Sequence, residues 1–355
     1  MRIDQLTFTR FLAAVSIVIF HYGGGSIFTE NPQLAFIFQN ANISVSYFFI
    51  LSGFVMVIAY GNKPFVPFIA YFKNRFARIY PLYFLAVILV IFVQLKAAEF
   101  DFSGFFLNIF MVQAWIPGKA LSFNFPAWSL SVEVLFYAIF PFVFNEVYKK
   151  IALKRISMAI VLFWIFTQIV TNVLFVNFGA SDSMYMKDFI LYNPLLHLHQ
   201  FLAGNLAGLL FIKYLNEKKR NYDLLILVFA ALVILALKFP FGFNLHSASA
   251  LLFVPLILLI SLNTGVITQL FQKKLFVFLG EISFGVYILQ YPVCFFISNY
   301  RIKKYLHIED LNVSLLIRVG ILILISSITY IYIEKPILEK VKGNKKSLTL
   351  SENPV

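Results

Sequence analysis

The chain has 355 residues, of which 61% are hydrophobic, 18% aromatic and only 13% charged, with a mean hydropathy of +0.85. Soluble domains carry about 25% charged residues, so this composition excludes a soluble enzyme and fits an all-α integral membrane protein. The formal net charge of +13 then belongs to loops, since cytoplasmic loops collect Lys and Arg, and it does not imply nucleic acid.

The first apolar stretch, 6–22, has no small-x-small cleavage site and no long basic start, so it is expected to remain as the first span. Further spans are predicted over 43–60, 79–95, 128–148, 156–177, 189–212, 223–239, 246–262, 275–298 and 313–332, each close to the ~20 residues that cross the hydrocarbon core. The run 105–115 is too short to cross comfortably. Counted as a crossing, it would put Lys149, Lys150, Lys154 and Arg155 outside; as a re-entrant or surface helix it puts them inside.

With ten spans and an internal amino terminus, twenty of the 29 basic residues fall on the inner side. The positive-inside bias therefore predicts a bundle of about ten transmembrane helices with both termini cytoplasmic. The outer loop with Arg301, Lys303 and Lys304 is the dissent. Residues 1–340 form one polytopic domain and 341–355 a polar cytoplasmic tail. The single cysteine, Cys294, excludes an intramolecular disulfide and sits in an apolar run as packing.

Polar groups within the apolar runs now acquire addresses. Arg10 and His21 are eleven residues apart, about 20° past three full helical turns, so they share one stripe about 16 Å apart along the axis. Ionisable groups at membrane depth face a protein-lined, wet interior or snorkel to the interfaces. Arg75 and Arg78 precede the third span on the cytoplasmic side and share a helix face. Such a pair holds phosphates through guanidinium hydrogen bonds or anchors the helix at lipid headgroups.

Glu133 lies near the outer end of the fourth span, at a depth comparable to His21, so a His–carboxylate pair is one expectation. A carboxylate bonded to Trp128, Ser129 or nearby backbone is the other. His197 and His199 are two residues apart, on different helix faces, and make a poor metal pair; no metal site is expected. Ser52–Gly53, Gly204 and Gly208 read as close helix-packing positions. No phosphate-binding glycine loop and no serine nucleophile elbow occur.

A set of motifs in a fixed order gives the chain a likeness. Arg10, ten residues and His21 are followed by YFFILSGF (47–54), RFARIYPLY (75–83) and PAWSLSVEVLFYAIFP (126–141). LGEISFGVYILQYPV (279–293) and the terminal YIEKP (332–336) complete the set. Over 6–336 the chain resembles membrane acyltransferase family 3, the bacterial acyl-CoA-dependent O-acyltransferases of cell-surface glycans. Two positions depart from that pattern. Thr7 stands where many members have Asp, which removes a salt bridge to the motif Arg. Gln290 stands where many have His, which removes a second imidazole. The chain also ends soon after the tenth predicted span, so no fused periplasmic esterase-like domain is expected.

The resemblance implies an enzyme of the bacterial cytoplasmic (inner) membrane that carries out O-acetylation or a related acylation. Acyl-CoA, by family frequency acetyl-CoA, would approach from the cytoplasm, with Arg75, Arg78 and Arg10 along its path. A glycan or glycoside acceptor would enter from the other face, with membrane lipid around the bundle. His21 would act as general base, or carry the acyl group, with Glu133 orienting it. Ser52, Trp128 and Ser129 are candidate substrate or oxyanion contacts. A transporter or flippase of a glycan or lipid-linked intermediate is the rival reading, and a glycan polymerase a second. Paired internal repeats, frequent in transporters, are not evident.

Overall fold

A computed structural model of the protein describes residues 3–179, 183–215, 217–239 and 249–341. Among these the chain is helical, with one isolated bridge between Arg220 and Asn263. The frame starts with α1 (Gln5–Tyr22), α2 (Ile43–Tyr60), α3 (Phe68–Ala97), the short α4 (Phe102–Ile109) and α5 (Trp128–Phe142). It continues with α6 (Leu153–Phe178), α7 (Met184–Tyr192), α8 (Pro194–Leu210), α9 (Asp223–Lys238) and α10 (Phe253–Leu262). Three pieces, α11 (Lys274–Glu281), α12 (Ser283–Ile288) and α13 (Gln290–Phe296), precede α14 (Asn299–Leu306) and α15 (Leu311–Thr329).

Among the described residues, seven helices are long and apolar enough to cross a bilayer, or eight if the bent pair Lys274–Ile288 and Gln290–Leu306 is one span. The predicted spans 43–60 and 128–148 coincide with helical segments, and 79–95 lies inside the longer α3, which carries Arg75 and Arg78 on the same rod. The span 223–239 meets α9, of 16 residues. The start of the predicted span 246–262 lies outside the described residues; what is described there is the shorter Ser249–Leu262. Residues 342–355, nearly all of the predicted tail, also lie outside. The run 105–115 is not one long helix: it holds the end of the eight-residue α4 and a short turn at Gln113–Trp115. Phe102, Phe106 and Phe110, four apart, face outward from α4, while Asn108 is fully buried.

The predicted span 275–298 is broken, with a 71° bend between its halves. Its cause is local. Pro292 has no N–H to give the Ile288 carbonyl four residues back, and its ring disfavours a continuous helix there. Asn124 Nδ2 takes up that freed carbonyl at 3.4 Å.

Lipid offers little hydrophobic drive for helices to associate, so close backbone packing carries the assembly. Helices α2 and α8 show it: a Cβ on Gly53 would stand 2.1 Å from the Phe201 carbonyl oxygen, and one on Gly204 1.9 Å from that of Ile50. The expected close-packing role of Gly53, Gly204 and Gly208 is thus met. Phe49, Phe136 and Phe201, all fully buried, interlock beside this contact. On the other flank α1 presses the Thr7 backbone against Gly280 of α11. Helix α1 is thereby clamped along its length, which fixes the positions of Arg10 and His21.

Candidate active site

Two groups of polar side chains lie along α1. The one at the predicted outer end of the helix, called the outer group, surrounds His21 in the last turn. His21 Nδ1 is 2.7 Å from Gln290 Oε1, and the imidazole meets the edge of Phe125, centroids 4.8 Å apart. Gln290 Nε2 donates to the Tyr287 carbonyl at 2.6 Å. The Tyr287 hydroxyl donates to the Pro126 carbonyl at 2.8 Å and lies 2.9 Å from Ser129 Oγ. Ser129 therefore joins the His21 group through Tyr287. The bend before Pro292 delivers Gln290 here, and the Phe125–Ala127 turn delivers Phe125 and Pro126.

The backbone next to His21 has its own anchor. Arg318 of α15, buried in the bundle, donates from Nη2 to the Tyr22 carbonyl at 2.8 Å and its guanidinium stands over the Tyr22 ring at 5.8 Å. The last carbonyls of a helix have no intrahelical donor and carry the negative end of its dipole, so a cation there satisfies both needs.

The inner group is built from charge. Arg10, Arg75 and Arg78 all lie within electrostatic range of Glu133, and Arg10 and Arg78 also within range of Glu334. Among the described residues, no direct ion pair joins these five. Glu133 instead accepts the Tyr137 hydroxyl at 2.5 Å. Arg75 lies over the rings of Tyr60 and Tyr71 at 5.5 and 5.6 Å, and its Nε is buried without a hydrogen-bond partner, as is Glu334 Oε1.

Arg78 is exposed although residues of α1, α3, α5 and the segment after α15 all face it. Arg78 thus keeps exposed surface while lying within electrostatic range of Arg10, Arg75 and Glu334. A small, mainly apolar recess between α3 and α5, lined among others by Phe76, Leu130 and Val134, touches this group at Arg75 and Tyr137. Three guanidiniums against two carboxylates leave the group net positive, and undischarged charge of that sign suits an anion.

The expected His21–Glu133 pair is not formed. Similar depth placed the two residues together, but α5 turns Glu133 toward Tyr137 and the arginines, and Gln290 occupies Nδ1 of His21. Glu133 stands between the groups, within electrostatic range of Tyr287 as well. The alternative of a bond from Glu133 to Trp128 or Ser129 is not made either. Trp128 packs on Tyr192 and His197, centroids 4.9 and 5.3 Å, and Ser52 makes no hydrogen bond among the described residues. His197 and His199 go to different partners, the Leu191 carbonyl and Gln168.

A family model described as an acyltransferase domain matches residues 3–333. The chain belongs to acyltransferase family 3. Among the relatives of this family member, Acyltransferase MdmB of Streptomyces mycarofaciens is 31% identical over 193 residues, 51% of this chain and 48% of that protein. Protein 2 in the picA locus of Rhizobium radiobacter is 39% identical over 84 residues, 23% of this chain and 40% of that protein. The chain spans about half the length, or less, of these curated relatives. No solved structure matches it.

Three residues of this family member were passed over in the sequence. Gln290 was noted only as a missing imidazole, Tyr287 only as part of a motif, and Glu334 only as a letter of YIEKP. The signal available was the clustering of Tyr287, Gln290 and Pro292 in one short block, a polar pair beside a helix breaker.

Proposed function

We propose that the protein is an integral-membrane O-acyltransferase that moves an acyl group from acyl-CoA to a hydroxyl of an extracytoplasmic glycan or glycoside. In this reading ten spans place both termini in the cytoplasm of a bacterial inner membrane, with residues 1–340 as the catalytic domain. The inner group is the donor end: Arg75, Arg78 and Arg10 hold the phosphates of acyl-CoA, whose acyl arm extends along α1 toward His21. The acceptor arrives from the opposite face, and acetyl is the acyl group first to be tried.

The observation that carries the reading is the pairing, on one helix, of an unpartnered imidazole nitrogen with Arg10 about 16 Å away in a net-positive cluster of three arginines. His21 Nε2 has no protein partner among the described residues. It takes the proton of the acceptor hydroxyl as the oxygen attacks the thioester carbonyl. The carbon–sulfur bond then breaks, and the proton passes to the departing CoA thiolate, so that ester and free thiol are the products. Glu133, set between the groups, counters the arginines while the anionic donor is absent.

The test is transfer of labelled acetyl from acetyl-CoA by the purified protein, with native envelope extract as acceptor and His21→Ala as control. Label entering a glycan fraction with free thiol released, from wild type alone, is the expected result. Folded wild-type protein that releases no thiol from several acyl-CoAs would overturn the reading in favour of a transporter.

A further inference from the structure

Both ends of the Gln290 amide have fixed partners. Its Nε2 lies 2.6 Å from the Tyr287 carbonyl oxygen, and its Oε1 lies 2.7 Å from His21 Nδ1. Turning the amide over would set two acceptors, Oε1 and a carbonyl oxygen, 2.6 Å apart with no proton between them. The Tyr287 carbonyl therefore dictates which end of Gln290 faces the imidazole. That end is a carbonyl oxygen, which accepts and never donates. The hydrogen in the Gln290–His21 contact has to be on Nδ1 of the ring.

A neutral imidazole carries one N–H, so its lone pair is left on Nε2, the nitrogen without a protein partner among the described residues. The surroundings resist escape from this arrangement. Gln290 has no solvent exposure, Tyr287 is held at its hydroxyl by Pro126, and the bend that presents Gln290 is closed by Asn124 on the Ile288 carbonyl. Phe125 limits ring rotation from the side, and Arg318 holds the backbone at Tyr22.

We infer that Gln290 is a positioning residue that locks His21 as the Nδ1–H tautomer and turns the Nε2 lone pair toward the acceptor hydroxyl. The tautomer lock stands on geometry alone; its consequence for rate rests on the acyltransferase reading. A neutral amide has one further effect that a carboxylate would not share. It orients the ring without adding a negative charge that would favour the protonated, inactive base.

The experiment is solution or solid-state NMR of the full-length protein labelled with 15N-histidine in lipid nanodiscs, with His21→Ala to assign its signals. Wild type is expected to show a protonated Nδ1 and an unprotonated Nε2 at His21. Gln290→Leu is expected to show both tautomers and Gln290→Glu to retain Nδ1–H. In the acyl-transfer assay Gln290→Leu should lower kcat at least several-fold, because part of the His21 population then presents an N–H in place of the lone pair and the ring is free to turn, with KM for acyl-CoA little changed. Gln290→Glu should recover most of that rate at high pH, with the acid limb of its pH–rate profile moved up by about one unit. That limb shift is a readout mere support of the fold would not produce.

A wild-type spectrum with the proton on Nε2 overturns the inference whatever the activity. So does a Gln290→Leu protein with the wild-type tautomer and rate. If Gln290→Leu does not fold, the wild-type spectrum and the Gln290→Glu limb still decide. A locked Nδ1–H tautomer in a wild-type protein that transfers no acyl group would support the lock and overturn the acyltransferase reading.

Discussion

The outer and inner groups share helix α1 and little else. Around His21 the contacts are direct, neutral and close: Gln290, Tyr287 and Ser129 form a hydrogen-bond chain in which nearly every donor has an acceptor. Around Arg10 the charges are many and direct pairing is absent; Arg75 Nε and Glu334 Oε1 are left buried and unpartnered. Near His21, Tyr22 Oη and Asn124 Oδ1 are also buried without a partner. An unpaired neutral group costs about 1–3 kcal/mol and a charged one more, so the inner group is the more strained. A satisfied network orients one atom, whereas an unsatisfied charged one waits for a ligand. The difference teaches how one helix serves two chemistries, a base held in a fixed state at one end and a receptor for anions at the other.

The largest effect should come from breaking the outer group at its centre. His21→Ala is expected to lower kcat for acyl transfer by about 10²–10⁴-fold while donor affinity, measured by binding of a non-hydrolysable acyl-CoA analogue, stays near wild type. Loss of both together would dissolve the division between the groups.

Next in size is the inner group. Arg78→Ala and Arg75→Ala each remove a charge-assisted contact worth about 1.5–3 kcal/mol, so KM for acyl-CoA should rise by roughly 10- to 100-fold with kcat changed far less. Raising salt should weaken wild-type donor binding more than that of either variant, because each has lost one cation. A kcat loss at unchanged KM would instead assign these arginines to the chemical step.

Glu133→Gln sharpens the comparison further. It keeps the shape and the Tyr137 contact but leaves three guanidiniums facing Glu334 alone, which should lower stability by about 1–3 kcal/mol in thermal unfolding. Because Gln290 and not Glu133 holds His21, the acid limb of the pH–rate profile should stay where it is. A shifted limb would restore the His–carboxylate pair that depth alone suggested.

That failed pair marks where sequence reading stops. Helix α2 has the predicted bounds 43–60 because an unbroken apolar run bordered by polar residues needs no tertiary information. The Arg10–His21 stripe follows equally from helical geometry. Pairing across helices does not. Depth is one coordinate and helix rotation another, and only depth can be counted from a span boundary, so Glu133 was placed level with His21 but facing the wrong neighbour. Gln290 and His21 are 269 residues apart in the chain, and the bend that joins them turned a predicted single span into two pieces. Pro292 was visible in the sequence, yet the direction in which the chain would turn at it was set by Asn124 and Tyr287, which lie on no common periodicity with it.

The smallest effect belongs to a residue outside both groups, and it separates loss of fold from loss of chemistry. Asp101 caps α4 by accepting the Gly104 N–H at 2.8 Å and the Ser103 hydroxyl at 2.7 Å, with Lys119 Nζ at 3.6 Å. Burial pushes its carboxyl up, but the Gly104 N–H, Ser103 and Lys119 together outweigh burial and hold it below the ordinary carboxylate range. A group lowered on folding contributes fully above its unfolded value, near pH 4, and loses that contribution as pH falls through the lower folded value. Asp101→Ala should therefore cost about 1 kcal/mol of stability at neutral pH, read as a small fall in melting temperature, and the difference from wild type should shrink in strong acid. Both kcat and KM should be unchanged, since α4 touches neither His21 nor the arginines through any contact named above. If folded Asp101→Ala protein lost acyl transfer, the α4 segment would have to be counted with the His21 group, and the two-region division would give way to a site that reaches the surface through α4.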